Sequence, residues 1–285
     1  VRGTRRALVL VADAPFLLAV KKLVDPAKEI ARPIGVIRQV LVDRPDQPGE
    51  RPVRRPEAGI FVIRIEQHAD LAGDITKGSG KTVALTFDDG PAPADPEILA
   101  VLADEGVHAT FFLTGAHADA DPETVAAIAA QGNLIAGHSW EHQYPAAVPG
   151  GWTLRYLKGQ LTRTGELLAR LSGAPVCYFR PPGGHTDNVL DAAGALGVTS
   201  VMWSVDAQDW AQPGRTTAAA TKTIVANATR NPGQHPIVLL HSGKASHEPD
   251  AKVSPYRGNT VAALPAIIDF YRERGYRFVL LDGSA

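Results

Sequence analysis

From Lys81 onward the chain alternates short apolar runs with longer stretches of helical spacing. The runs are Val83 to Phe87, Ala109 to Leu113, Asn133 to Gly137, Val176 to Phe179, Thr199 to Ser204, Ile237 to Leu240 and Arg277 to Leu281. Each has the length of a strand, and most are apolar enough to be covered on both faces. Between them Pro96 to Glu105, Pro122 to Gln131, Leu154 to Leu171, Asn188 to Leu196, Arg215 to Thr229 and Thr260 to Arg274 place apolar residues at helical intervals. Strand-helix alternation predicts an α/β fold with a parallel sheet, and this many units predict a closed or nearly closed β/α barrel.

Upstream the pattern weakens. Val1 to Gly73 holds an apolar opening, a short helix expected near Asp25 to Ala31, a stretch from Asp43 to Glu57 dense in Pro, Arg, Asp and Glu, and an alternating strand from Gly59 to Ile65. Asp43 to Glu57 has too few apolar residues to offset the entropy of ordering it and reads as a linker. The expected division is an N-terminal extension, residues 1–73, and one domain, residues 74–285. Arg5-Arg6 and the run Ala7 to Ala12 begin like a signal peptide, but Asp13 and Pro15 interrupt it and Lys21-Lys22 close it. The same interruptions make it too short to span a membrane.

Composition narrows the partners. The 285 residues carry a net charge of −1 with both signs interspersed, so no basic field argues for nucleic acid or an anionic membrane. The single cysteine, Cys177 in the run Val176 to Phe179, excludes an intrachain disulfide and reads as a buried structural thiol. Gly78-Ser79-Gly80-Lys81-Thr82 resembles the end of a phosphate loop, but Ile75 stands where the first glycine belongs and a strand follows instead of a helix, so it reads as a turn.

In a β/α barrel, chemistry collects where strands end. Asp88-Asp89 follows the first run, His138-Ser139-Trp140-Glu141-His142 the third, Arg180-Pro181-Pro182-Gly183-Gly184 the fourth, Asp206 to Trp210 the fifth, and His241 the sixth. Asp-Asp-Gly-Pro alone is ordinary turn chemistry, yet two adjacent carboxylates can divide labour, one holding a cation and the other moving a proton. His138 and His142, four apart, would share one face of a helical turn and complete a His-His-Asp metal site. Arg180 is placed to hold a carboxylate through paired hydrogen bonds. Asp209 can cap a helix, or accept the His241 N–H and keep that ring oriented and protonated. The other histidines, His68, His108, His117, His185, His235 and His247, read as structural or solvated.

Taken in order, Thr86 to Gly90, His138 to His142, Arg180 to Gly184, Asp206 to Trp210 and Leu239-Leu240-His241 resemble the five motifs of the polysaccharide deacetylases, carbohydrate esterase family 4, related to the nodulation chitooligosaccharide deacetylase. The resemblance covers Lys81 to Gly283. It implies a distorted (β/α)7 barrel using one divalent transition metal, zinc before cobalt, nickel or manganese, to remove acetyl groups from N-acetylated sugars or O-acetylated xylan. It implies Asp89, His138 and His142 as metal ligands, Asp88 as general base, Arg180 as its tether, His241 as general acid and Asp209 as the residue tuning it. Gly183, through its backbone N–H, and Trp210 would contact substrate. A tyrosine commonly stands at the position of Gly183, so the shape of the groove is where this chain departs. The resemblance further implies peptidoglycan, chitin oligomers or acetylxylan as substrate and an extracellular or cell-envelope location. The alternatives are an amidohydrolase acting on a non-polymeric carbon–nitrogen substrate and a non-catalytic carbohydrate-binding relative.

Overall fold

The computed structural model describes residues 80–285. The helix near Asp25, the linker, the strand at Gly59 to Ile65 and the division at residue 73 lie outside them.

The sheet is laid out around β1, Lys81–Gly90, which is buried from Thr82 to its end. Parallel neighbours cover both of its edges: β2, Thr110–Leu113, pairs Thr86 with Thr110, and β7, Ile237–His241, pairs Ala84 with Ile237 and Asp88 with His241. Because side chains alternate along a strand, β1 sorts its residues between two layers. Val83, Leu85 and Phe87 join Ile98, Leu102, Phe111 and Ile268 in the core between sheet and helices. Ala84 faces the barrel interior with Phe112, Ala136 and Tyr178. By the same parity Thr86 and Asp88 point inward, and Asp88 stands at the interior's mouth.

The strand order is β5-β4-β3-β2-β1-β7-β6, with β8, Tyr276–Phe278, pairing with the start of β1. Here β3 is Leu134–Gly137, β4 Tyr178–Phe179, β5 Thr199–Ser200 and β6 Val205–Asp206. All the pairings are parallel. The expected strand Thr199 to Ser204 thus stops after Ser200. Only its first two residues pair, as β5, and the chain pairs again as β6 just past the expected end; β5 and β6 are the opposite ends of the sheet, so the barrel has a seam between them. Two carbonyls in the gap are taken by a side chain: Arg180 donates from Nε to Val201 O at 3.3 Å and from Nη2 to Met202 O at 3.1 Å.

The helices are α1 Asp95–Asp104, α2 Gly115–Ala120, α3 Pro122–Ala130, α4 Leu154–Ser172, α5 Val189–Leu196, α6 Ala218–Ala228 and α7 Gly258–Glu273. In α4 the residues Leu157, Leu161, Thr164 and Leu168 form one buried stripe. Thr153 caps its start, accepting the Tyr156 N–H at 3.1 Å, and Gly173 ends it in the left-handed region that favours glycine. Helix α2 was not expected, since Gly-Ala-His-Ala-Asp-Ala carries no apolar period. Thr114 caps it, and Gly115 lies so close to the Trp140 indole that a Cβ there would meet it at 2.2 Å. Cys177 is half-buried, not enclosed as expected, because its strand does not begin until Tyr178.

Candidate functional site

Asp88 and Asp89 reach the same cavity by different routes. Asp88 arrives by strand parity. Asp89 should point away, but the β1–β2 register slips between Asp88 and Gly90, which pair with Phe112 and Leu113. The extra residue is Asp89, at φ 70, and this bulge turns its carboxylate back to the strand's C-terminal end. The His117 ring, bonded through Nδ1 to Asp89 O at 2.9 Å, braces the bulge from behind.

His138 and His142 follow β3, though not on a helical turn as their spacing suggested. Residues 138–144 form no helix, and Ser139 at φ 64 and His142 at φ 56 bend the loop back on itself. Ser139 Oγ accepts the His142 N–H at 3.0 Å and fixes that bend. The imidazoles meet with centroids 4.7 Å apart. His138 Nδ1 donates to Arg180 O at 2.7 Å, which turns Nε2 toward Asp89 Oδ1 at 3.5 Å. His142 Nε2 lies 3.4 Å from the same oxygen.

The ligand atoms of these three residues lie within 4.8 Å of one another, all buried. Asp89 Oδ1 has no hydrogen-bond donor among the described residues. Burial acts most strongly on the Asp89 carboxyl and would raise its pKa, but His142 and His138, with smaller help from His241 and Arg257, outweigh it and hold the group at about 2. Burial lowers His142 to about 3 despite Asp89, so that ring is neutral. A buried carboxylate oxygen without a donor, facing two imidazole nitrogens, fits a divalent cation.

Arg180 is fully buried, with its guanidinium stacked over the Phe112 ring at 4.0 Å. Its Nη1 donates to Asp88 Oδ1 at 2.6 Å and to Thr86 Oγ1 at 2.9 Å. Desolvation lowers the arginine's pKa, and Asp88 opposes the shift. Opposite, His241 closes β7, and its Nδ1 bonds Asp209 Oδ1 at 2.8 Å. The second Asp209 oxygen accepts the His241 backbone N–H at 2.9 Å and the Thr260 hydroxyl at 2.8 Å. Burial would lower the His241 pKa, but Asp209 and then Asp89 and Asp88 push it to about 9, so the ring is cationic at neutral pH.

All the anticipated residues but two line one cavity of about 210 Å³: Asp88, Asp89, His138, His142, Gly183, Trp210 and His241. Arg180 and Asp209 stand behind Asp88 and His241. The cavity wall also holds Tyr144, Trp203, Asp206 and Glu248, whose role the sequence did not signal. His247, read from the sequence as structural or solvated, packs its ring 5.5 Å from His142 and 5.0 Å from Tyr144. At Gly183, φ is 60, and an added Cβ would meet Tyr144 Cε1 at 2.8 Å. The glycine therefore makes room for an aromatic ring supplied by a different loop.

The profile of the polysaccharide deacetylases matches residues 76–201. A chitooligosaccharide deacetylase of Sinorhizobium fredii is 35% identical over 198 residues, 68% of this chain and 87% of that protein. The chain belongs to the polysaccharide deacetylase family. Among solved structures of such deacetylases, a peptidoglycan N-acetylglucosamine deacetylase in complex with 4-naphthalen-1-yl-N-oxidanyl-benzamide superposes with a TM-score of 0.60 at 35% identity, covering 70% of this chain and 86% of that one. A family 4 carbohydrate esterase from Streptomyces lividans in complex with acetate gives 0.58 at 29% identity, covering 71% and 93%. The curled parallel sheet is this polysaccharide deacetylase fold, and the activity is hydrolytic deacetylation of polysaccharide.

Proposed function

We propose that this deacetylase hydrolyses the acetamido group of N-acetylated sugar chains, with Asp89, His138 and His142 holding a divalent ion and Asp88 and His241 moving the protons. Two imidazoles and one carboxylate suit zinc, or cobalt, nickel or manganese, better than magnesium or calcium. The observation carrying the reading is the opposition across one cavity of a carboxylate held by Arg180 and an imidazolium held by Asp209. When bound, the ion supplies Lewis acidity to the acetyl carbonyl and acidifies a water molecule.

The rest falls to the chain. Asp88, pinned through Oδ1, keeps Oδ2 free to take a proton from the attacking water. The Gly183 backbone N–H is the amide assigned to the carbonyl oxygen as it gains charge. His241, with its proton held on by Asp209, gives that proton to the sugar nitrogen as the C–N bond breaks, so acetate and an amine leave. Trp210 and Trp203 offer flat apolar faces for the sugar. Chitin oligomers and peptidoglycan, the substrates named for its relatives, fit an N-acetyl substrate better than acetylxylan, since an ester leaving group needs less help from a cationic acid. Such polymers carry with them an extracellular or cell-envelope location.

The test is acetate release, measured side by side on chitin oligomers, peptidoglycan and acetylxylan, with metal content determined on the same sample. About one transition-metal ion per chain is expected, with activity lost to chelation and restored by zinc. Full activity in excess chelator by a protein without bound metal would overturn the assignment.

A further inference from the structure

Two residues of the cavity wall have no part in that chemistry. Tyr144 comes from the loop after β3 and Glu248 from the loop between β7 and α7, and the Tyr144 hydroxyl donates to Glu248 Oε1. The ring is held on several sides: edge-on to His142 at 5.5 Å, edge-on to His247 at 5.0 Å, and against the Gly183 turn, where no Cβ would fit. The Glu248 loop is clamped at its base by Arg257, which is buried and donates to Gly243 O at 2.9 Å and to Ser254 O. The carboxylate of Glu248 is thereby fixed at the cavity beside the reacting centre.

Its charge is not neutralised locally. Its hydrogen-bond donor is the neutral phenol of Tyr144. The nearby ammonium of Lys244 bonds the Glu248 backbone carbonyl and pairs with Asp250 at 2.9 Å. Asp88 is paired with Arg180 and His241 with Asp209, and Asp89 offsets one of the two charges of the proposed ion. Away from the ion, the wall carries the carboxylates of Glu248 and of Asp206, the latter accepting the Gln208 backbone N–H at 2.8 Å.

We propose that Glu248, positioned by Tyr144, determines specificity by admitting neutral or amine-bearing N-acetyl sugars and repelling those that carry a carboxylate beside the acetylated nitrogen. This rests on the deacetylase reading and deepens it. An N-acetylglucosamine chain brings no charge to the wall. A sugar with a lactyl ether at O3 whose carboxyl is free, as in a peptidoglycan residue stripped of its peptide, brings an anion within a few bonds of the acetamido group. At such separations in a partly enclosed site, like charges cost roughly an order of magnitude in the specificity constant, an effect that salt weakens.

The experiment uses the metal-loaded protein and three probes: an N-acetylglucosamine tetramer, a peptidoglycan tetrasaccharide with free lactyl carboxylates, and the same tetrasaccharide with those carboxylates capped as amides. Acetate is assigned to each sugar by mass spectrometry. In the wild type, kcat/KM at the lactyl-bearing sugar should rise roughly tenfold on capping, and the gap should shrink as salt is raised. Glu248→Gln, which keeps an acceptor for Tyr144, should narrow the capped-to-free ratio to about twofold or less. Tyr144→Phe, which frees the carboxylate to swing into water, should narrow it partway. Equal rates on the free and capped tetrasaccharides in the wild type would overturn the proposal and leave the deacetylase reading standing, even if Glu248→Gln failed to fold. No acetate from any probe would overturn the deacetylase reading and this inference with it.

Discussion

Asp88 and Asp89 are adjacent, yet one follows the pleat and the other breaks it, and their proposed tasks divide along that line. Asp88→Asn keeps the shape and the Arg180 contact while removing the basic oxygen, so turnover should fall by roughly 10²-fold or more with metal content unchanged, read by acetate release and elemental analysis. His241 can be isolated by the leaving group. An amide nitrogen must be protonated to depart, whereas an activated aryl acetate leaves as a stable anion. His241→Ala should therefore lose about 10²- to 10⁴-fold on an N-acetyl sugar and far less on the aryl ester. Equal losses on both would assign the proton to another donor. The pH profile gives a further reading. With its pKa raised to about 9 the ring holds its proton through neutral pH and loses it as pH rises past that value. Asp209→Asn removes the anion that raises it, so the alkaline limb of the kcat profile should move to lower pH.

At the scale of elements, the sequence shows where chemistry gathers but not how the loops fold. The buried runs, the α4 stripe and five clusters of polar residues at strand ends were legible because periodicity and burial speak directly in residue types. The bulge at Asp89 and the left-handed turns at Ser139 and His142 were not, because backbone that any short polar residue can adopt leaves no pattern. Tyr144 and Glu248 were invisible for a related reason: they lie in different loops, 104 positions apart, and only tertiary structure brings them together. The early end of the expected strand after Ser200 left no mark in the sequence either, since Val201, Met202 and Trp203 are as apolar as a strand would be. The loop carrying His138 and His142 rests on packing that can be tested. Trp140, between the two histidines, lies against Gly115 with Arg163 stacked over it at 3.4 Å. Gly115→Ala would drive a methyl group into the indole, so a loss of about 1–3 kcal/mol in urea unfolding is expected, together with weaker metal retention. Unchanged zinc affinity would show that the loop does not depend on this packing.

For the whole molecule the decisive feature is the seam between β5 and β6, where a buried arginine stands in for part of a hydrogen-bond ladder. Arg180→Ala leaves the Asp88 carboxylate buried without its cation and the carbonyls of Val201 and Met202 without donors, so it should cost about 3–5 kcal/mol of stability as well as activity. Arg180→Lys, a point charge lacking the planar fork, should recover only part of either. Amide hydrogen exchange near residues 199–206 should quicken in both variants. The side chain that orients the proposed base is also a keystone of the barrel, whereas the loop with the proposed metal ligands His138 and His142 follows the end of β3 and supplies no donor to the seam. Lineages drifting out of catalysis should therefore shed His142 or His138 early and keep Arg180 long after its chemical purpose has gone, leaving the arginine as a fossil of the reaction in proteins that no longer perform it.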